Sequence, residues 1–88
     1  MNSDPSFTPI HRPRLADELV NRLLASIRDG RLIVGERLPP IAEMARRFRV
    51  ARATVREAVV TLELMCVVEI RHGAGVYVRR RPPDDRAA

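Results

Sequence analysis

Lysine is absent from this 88-residue chain. All sixteen basic residues are Arg, set against eleven Asp and Glu, for a formal net charge of +5 at pH 7. A GC-rich genome accounts for the missing Lys as well as function does, but not for where the Arg residues cluster. Aromatics are almost as scarce, at 3% (Phe7, Phe48 and Tyr77). The core must therefore be aliphatic, and a sheet that stacks RNA bases on aromatic rings is excluded. Cys66 has no second cysteine to pair with, so there is no internal disulfide and no cysteine metal site. The two His, at 11 and 72, lack metal-ligand spacing. No apolar run approaches the ~18 residues of a membrane helix, and no secretion signal opens the chain, so a reduced cytoplasmic location is expected. No nucleophile–base arrangement and no phosphate-cradling Gly loop is present, and Glu57 and Glu63 lie on what reads as an open helix. Catalysis is not expected, and no cofactor or metal is implied.

What remains is a hydrophobic fraction of 45%, enough for one small globular domain. A chain this short buries only somewhat over ~60% of its unfolded surface. Residues 1–13, with three Pro and no periodicity, read as a flexible arm. In "RLADELVNRLLASIRDG", Leu15, Leu19, Leu23 and Ile27 recur at helical spacing with Val20 and Leu24 in support, and Gly30 supplies a stop. "RLIVGERLPP" is a connector with room for one short strand. "IAEMARRF" is a short helix with Ile41, Ala45 and Phe48 inward and Pro40 at its start. "RVA" leaves space only for a tight turn, and "RATVREAVVTLELM", residues 52–65, makes a third helix. The period then changes to two: "VVEIR", "HGAG" and "VYVR" read as a β-hairpin. Residues 80–88 look like a linker or a frayed tail. The fold class is thus mainly α with a small β-hairpin, the order expected of a winged helix-turn-helix over residues 14–79.

Two short helices joined by so tight a turn project the start of the second into a DNA major groove. At ~100° per residue, Val55, Ala58, Val59 and Leu62 form one flank of the third helix, leaving Arg52, Ala53 and Arg56 outside it. Arg52 and Arg56, one turn apart, can reach neighbouring base edges or phosphates, and a bidentate Arg–guanine contact discriminates by about 1–3 kcal/mol. Thr54 can donate to a phosphate, which the helix N-terminus also attracts. The Arg pair alone also fits a solvated face paired with Glu57 or Glu63; the helix-turn-helix context favours the groove. The hairpin tip, residues 71–75, carries Arg71 and His72 with Gly73 and Gly75. It reads either as a slim probe of the negative minor groove or as a turn that simply needs glycine.

With these pieces in place, residues 15–78 resemble the winged-helix DNA-binding domain of GntR-type bacterial transcription regulators. "LADELVNRLLASIRDGRLIVGERLP" is similar to that family's first helix and "G-L-x-x-G-x-x-LP" connector, "VARATVREAVVTLE" to its recognition helix, and "VVEIRHGAGVYV" to its wing. The start "TPIHRPRLADELV" resembles most the FadR-type branch. The resemblance implies base or phosphate contact by Arg52 and Arg56, phosphate contact by Thr54, and minor-groove entry by His72 and Gly73. It also implies a palindromic operator, a homodimer in the full-length protein, and a small-molecule effector acting only through a C-terminal domain beyond this chain.

Four positions depart from the family pattern. Ala42 stands where "SERELA" would place a base-reading Arg. Ala51 replaces the Ser or Thr before the recognition helix, removing an N-cap worth roughly 0.5–2 kcal/mol. Arg49 replaces a turn Gly, adding strain if left-handed, together with a further candidate phosphate contact. Cys66 replaces the Gly that ends the recognition helix. Val60 and Leu64 fall on its exposed side, where a partner subunit or further domain could cover them. The expected function is a sequence-specific double-stranded DNA-binding domain of a regulator acting as a repressor. The alternative is a winged-helix protein–protein module, against which stands the excess of fifteen Arg over eight acids between residues 10 and 81.

Overall fold

Three helices precede two strands in the computed structural model, which describes residues 13–82. The helices are α1 (Pro13–Arg28), α2 (Ile41–Phe48) and α3 (Arg52–Leu64); the strands are β1 (Val68–Arg71) and β2 (Gly75–Val78). This is the expected winged helix-turn-helix. Of the segment read as an arm, Pro13 instead opens α1, where a first-turn proline leaves no donor wanting; residues 1–12 lie outside the described residues, as do 83–88 of the tail.

The core joins Leu19, Val20, Leu23, Leu24 and Ile27 of α1 to Met44 and Ala45 of α2, Val55, Ala58, Val59 and Leu62 of α3, and Val67, Val68, Val76 and Val78 around the hairpin. It holds no aromatic ring and, among the described residues, no buried polar or charged side chain. Helix α3 is the hub, packing against α1, α2 and β1. Completely burying one of its aliphatic side chains, such as Leu62, contributes about 1.5–3 kcal/mol.

Two expectations about the inward faces need correcting. Leu15 is 56% exposed, and Ala16 takes its place against the core. The i+4 row precesses by ~40° per step, so Leu15 lies ~120° around the helix from Ile27, whereas Ala16 lies within ~20° of it. On α2, Met44 is 1% exposed and buried beside Ala45, while Ile41 and Phe48 are only partly covered. Pro40 sits one position before the helix, extended at ψ 153, and its carbonyl accepts from the Met44 amide.

Each helix ends on a left-handed residue. Gly30 (φ 83) ends α1, Arg49 (φ 56) ends α2 and Cys66 (φ 62) follows α3. After α3, Val67 N–H donates to the Leu62 carbonyl at 3.0 Å and Cys66 N–H to that of Glu63 at 2.9 Å, the paired bonds of a Schellman close. After α2, Val50 N–H reaches the Ala45 carbonyl at 3.1 Å. Arg49 and Cys66 adopt this geometry at the steric disadvantage of a Cβ, on the order of 1–2 kcal/mol each.

The hairpin is antiparallel with Val68 opposite Val78, Glu69 opposite Tyr77, Ile70 opposite Val76 and Arg71 opposite Gly75. The connector, which had room for one short strand, instead makes an isolated bridge to the free edge of β2. Gly35 N–H donates to the Val78 carbonyl (2.8 Å), Val78 N–H to that of Glu36 (2.9 Å) and Leu38 N–H to that of Val76 (2.8 Å), with Arg37 bridging Tyr77. β2 is therefore held on both edges. Arg80 and Arg81, assigned above to the tail, tie back to the domain: Arg80 Nη2 donates to the Met65 carbonyl (3.3 Å) and Arg81 Nη2 to that of Arg28 (2.7 Å). Both guanidiniums thus meet carbonyls beside helix C-termini, where positive charge is favoured.

Candidate nucleic-acid interface

The start of α3 is built to be read from outside. Val55, Ala58, Val59 and Leu62 are all within 2% of complete burial and hold one flank in the core. Arg52, Ala53 and Arg56 are exposed and Thr54 half-buried. On the helical wheel the two guanidinium-bearing positions are only ~40° apart, so they share one ridge. Neither guanidinium has a hydrogen bond or ion pair to a described residue. Glu63, one of the acids that could have neutralised them, instead accepts from the Ile70 amide of β1 at 3.3 Å.

The N-terminus of α3 adds its own polarity. Ala51 is extended (φ −67, ψ 149) and offers no side-chain cap. Its carbonyl takes the Thr54 amide at 3.0 Å and the Val55 amide at 3.2 Å, leaving the Arg52 and Ala53 N–H groups without an acceptor among the described residues. Unpaired amides at a helix start favour an anion. Arg49, exposed in the turn three positions before Arg52, adds a third basic residue to this part of the chain. Exposed Ala42, in the first turn of α2, presents only a methyl group where the resemblance implies an arginine.

At the hairpin tip, His72 and Gly73 are exposed, with Gly73 at φ 78 in open space. Arg71 is exposed but engaged: its guanidinium lies over the Tyr77 ring, 4.3 Å from the centroid, and Nη2 is 3.3 Å from Glu69 Oε1. At this exposure such a pair is worth little and is readily exchanged for another anion. The Tyr77 hydroxyl donates to the Ala74 carbonyl at 3.3 Å, fastening the turn to β2. Sequence reasoning missed Tyr77 as the platform for Arg71; the two-residue period that puts it across from Glu69 was the available signal.

Among the described residues no group of three or more His, Cys, Asp or Glu could hold a metal ion, and no helix is long and apolar enough to cross a membrane. Cys66, Val60 (47%) and Leu64 (79%) are exposed near the far end of α3.

Comparison with known proteins agrees with this geometry. The chain is 34% identical over 79 residues to an uncharacterized HTH-type transcriptional regulator of Mycobacterium tuberculosis, covering 90% of this chain and 33% of that protein. It is 54% identical over 44 residues to the Uxu operon transcriptional regulator of Escherichia coli, covering 50% of this chain and 17% of that one. The chain therefore spans a third or less of the length of these relatives. Its fold matches the crystal structure of AraR(DBD) in complex with operator ORR3 with a TM-score of 0.71 at 22% identity, over 73% of this chain and 77% of that one. The family described as "Bacterial regulatory proteins, gntR family" matches residues 15–78, nearly the whole described domain, and the chain belongs to that family.

Proposed function

We propose that this chain binds double-stranded DNA sequence-specifically, as the DNA-binding domain of a bacterial transcription regulator. The observation that carries the reading is the start of α3: two guanidiniums without partners among the described residues and two unpaired amides project from a helix whose opposite flank is sealed in the core. In this reading α3 enters the major groove, where Arg52 and Arg56 meet base edges or phosphates and Ala53 allows close approach. Thr54 and Arg49 bind phosphate. Arg71, His72 and Gly73 enter the minor groove, Arg71 exchanging Glu69 for the duplex. The naming of the relatives as transcriptional regulators, and of the AraR domain's structure as an operator complex, supports it.

The finer assignments rest on the same footing. The binding unit is residues 14–79, and the linker starts at residue 80. The protein belongs to the FadR-type branch, acts in the cytoplasm, and represses by occluding a promoter. Two copies bind a palindromic operator as a homodimer, because one small domain grips DNA weakly. An effector acts through a further domain of the full-length protein, for which the greater length of the relatives leaves room.

Selection of binding sites from a random duplex pool at moderate salt tests the reading. A symmetric motif is expected, and its half-site spacing would report the dimer geometry. Recovery of no enriched sequence would contradict it and favour a protein-docking module.

A further inference from the structure

The solvent face of the wing carries an unbalanced set of charges that the contacts above do not use. Because the connector bridges to β2, Arg37, Tyr77 and Glu69 form one row across the connector and the two strands. Arg71 leans over Tyr77 from the neighbouring row, and its cross-strand partner is Gly75. The Arg37 side chain passes directly over Gly75: a Cβ built there would lie 2.5 Å from Arg37 Nε and 3.2 Å from Cζ and Nη2. Two guanidiniums thus flank the short stretch from Gly75 to Tyr77, at the foot of the tip, Arg37 from the connector and Arg71 from β1, where the half-exposed carboxylate of Glu69 also lies. That carboxylate is engaged by Arg71. Arg37 is exposed and has no hydrogen bond or ion pair to a described residue. An exposed guanidinium without a partner offers a planar fork of donors suited to the paired oxygens of a phosphate.

We propose that Arg37 is an additional contact to the duplex, binding a backbone phosphate beside the wing tip, in the room that Gly75 leaves for its side chain. This rests on the reading that the chain binds duplex DNA. The contact positions the wing and does not read sequence. It also makes the wing's grip two-point, from the connector and from the hairpin.

Salt titrations of binding test it, using wild type, Arg37→Ala and Arg37→Lys on the selected duplex and on an unrelated one. Arg37→Ala should weaken both duplexes by a similar factor and reduce the salt slope by about one. The wild type's advantage should then shrink about eightfold for each tenfold rise in salt. Arg37→Lys should keep the slope, because charge sets it. An Arg37→Ala protein that matches wild type in slope and affinity overturns the proposal, as does a loss confined to the selected duplex, which would make Arg37 a base reader. If wild type itself shows no salt-dependent binding to either duplex, the duplex reading fails and this proposal with it. A proposal that fails alone leaves the wild-type titration intact.

Discussion

Arg49 and Cys66 show how one backbone requirement separates stability from function. Both occupy left-handed positions that glycine takes without strain, and both close a helix. Cys66→Gly should stabilise the domain by about 1 kcal/mol, a rise in melting temperature of roughly 4–8 °C for a domain of this size. It should leave duplex affinity unchanged, because Cys66 lies past the end of α3 remote from Arg52. Arg49→Gly should give a similar rise in melting temperature yet weaken binding, because it deletes a charge proposed to meet phosphate. Thermal melts paired with binding isotherms check both; a binding loss in the Cys66 variant, or none in the Arg49 variant, contradicts the assignment. The sequence flagged both positions only through the family pattern, which prefers Gly there. Leu15 misled, because a row of identical spacing drifts around the helix, and the drift shows only once the face set by Leu19, Leu23 and Ile27 is laid on the wheel.

Element by element, helices were the most legible part of the chain. Their apolar period, the stop at Gly30 and the three-residue turn gave order and number, and α3 ends within one residue of its expected boundary. The buried flank of α3 was readable for the same reason: its four aliphatics share one phase. The connector's pairing with β2 was legible only as room for a short strand. "GERL" has no alternation to mark it, and it exists because β2 offers an edge whose carbonyls and amides meet Gly35, Glu36 and Leu38. The docking of Arg80 and Arg81 was equally hidden, since it depends on helix ends that are distant in sequence. One deficit in the elements is open to repair. α3 starts at Ala51 with no side-chain cap, so Ala51→Ser should stabilise the domain by about 1 kcal/mol, within the 0.5–2 range of such caps. Chemical denaturation measures this directly. A variant no more stable than wild type would mean that the Ala51 backbone cannot turn a hydroxyl toward the α3 amides.

At the scale of the whole molecule, the features proposed to face DNA are those the core does not need. Among the described residues no buried side chain is polar or charged, so their arginines are left at the surface. The start of α3, the turn at Arg49 and the hairpin tip each expose basic groups from different parts of the chain. Their division of labour, with α3 reading bases and the periphery binding phosphate, is the central claim. The most direct test measures the affinity of wild type and Arg52→Ala for a set of duplexes that differ at single positions of the selected site. The account predicts that wild type loses about 1–3 kcal/mol on changing a contacted base, and that Arg52→Ala becomes indifferent at one such position while keeping its preferences elsewhere. Uniform weakening of Arg52→Ala across the whole set, with every preference retained, would contradict it.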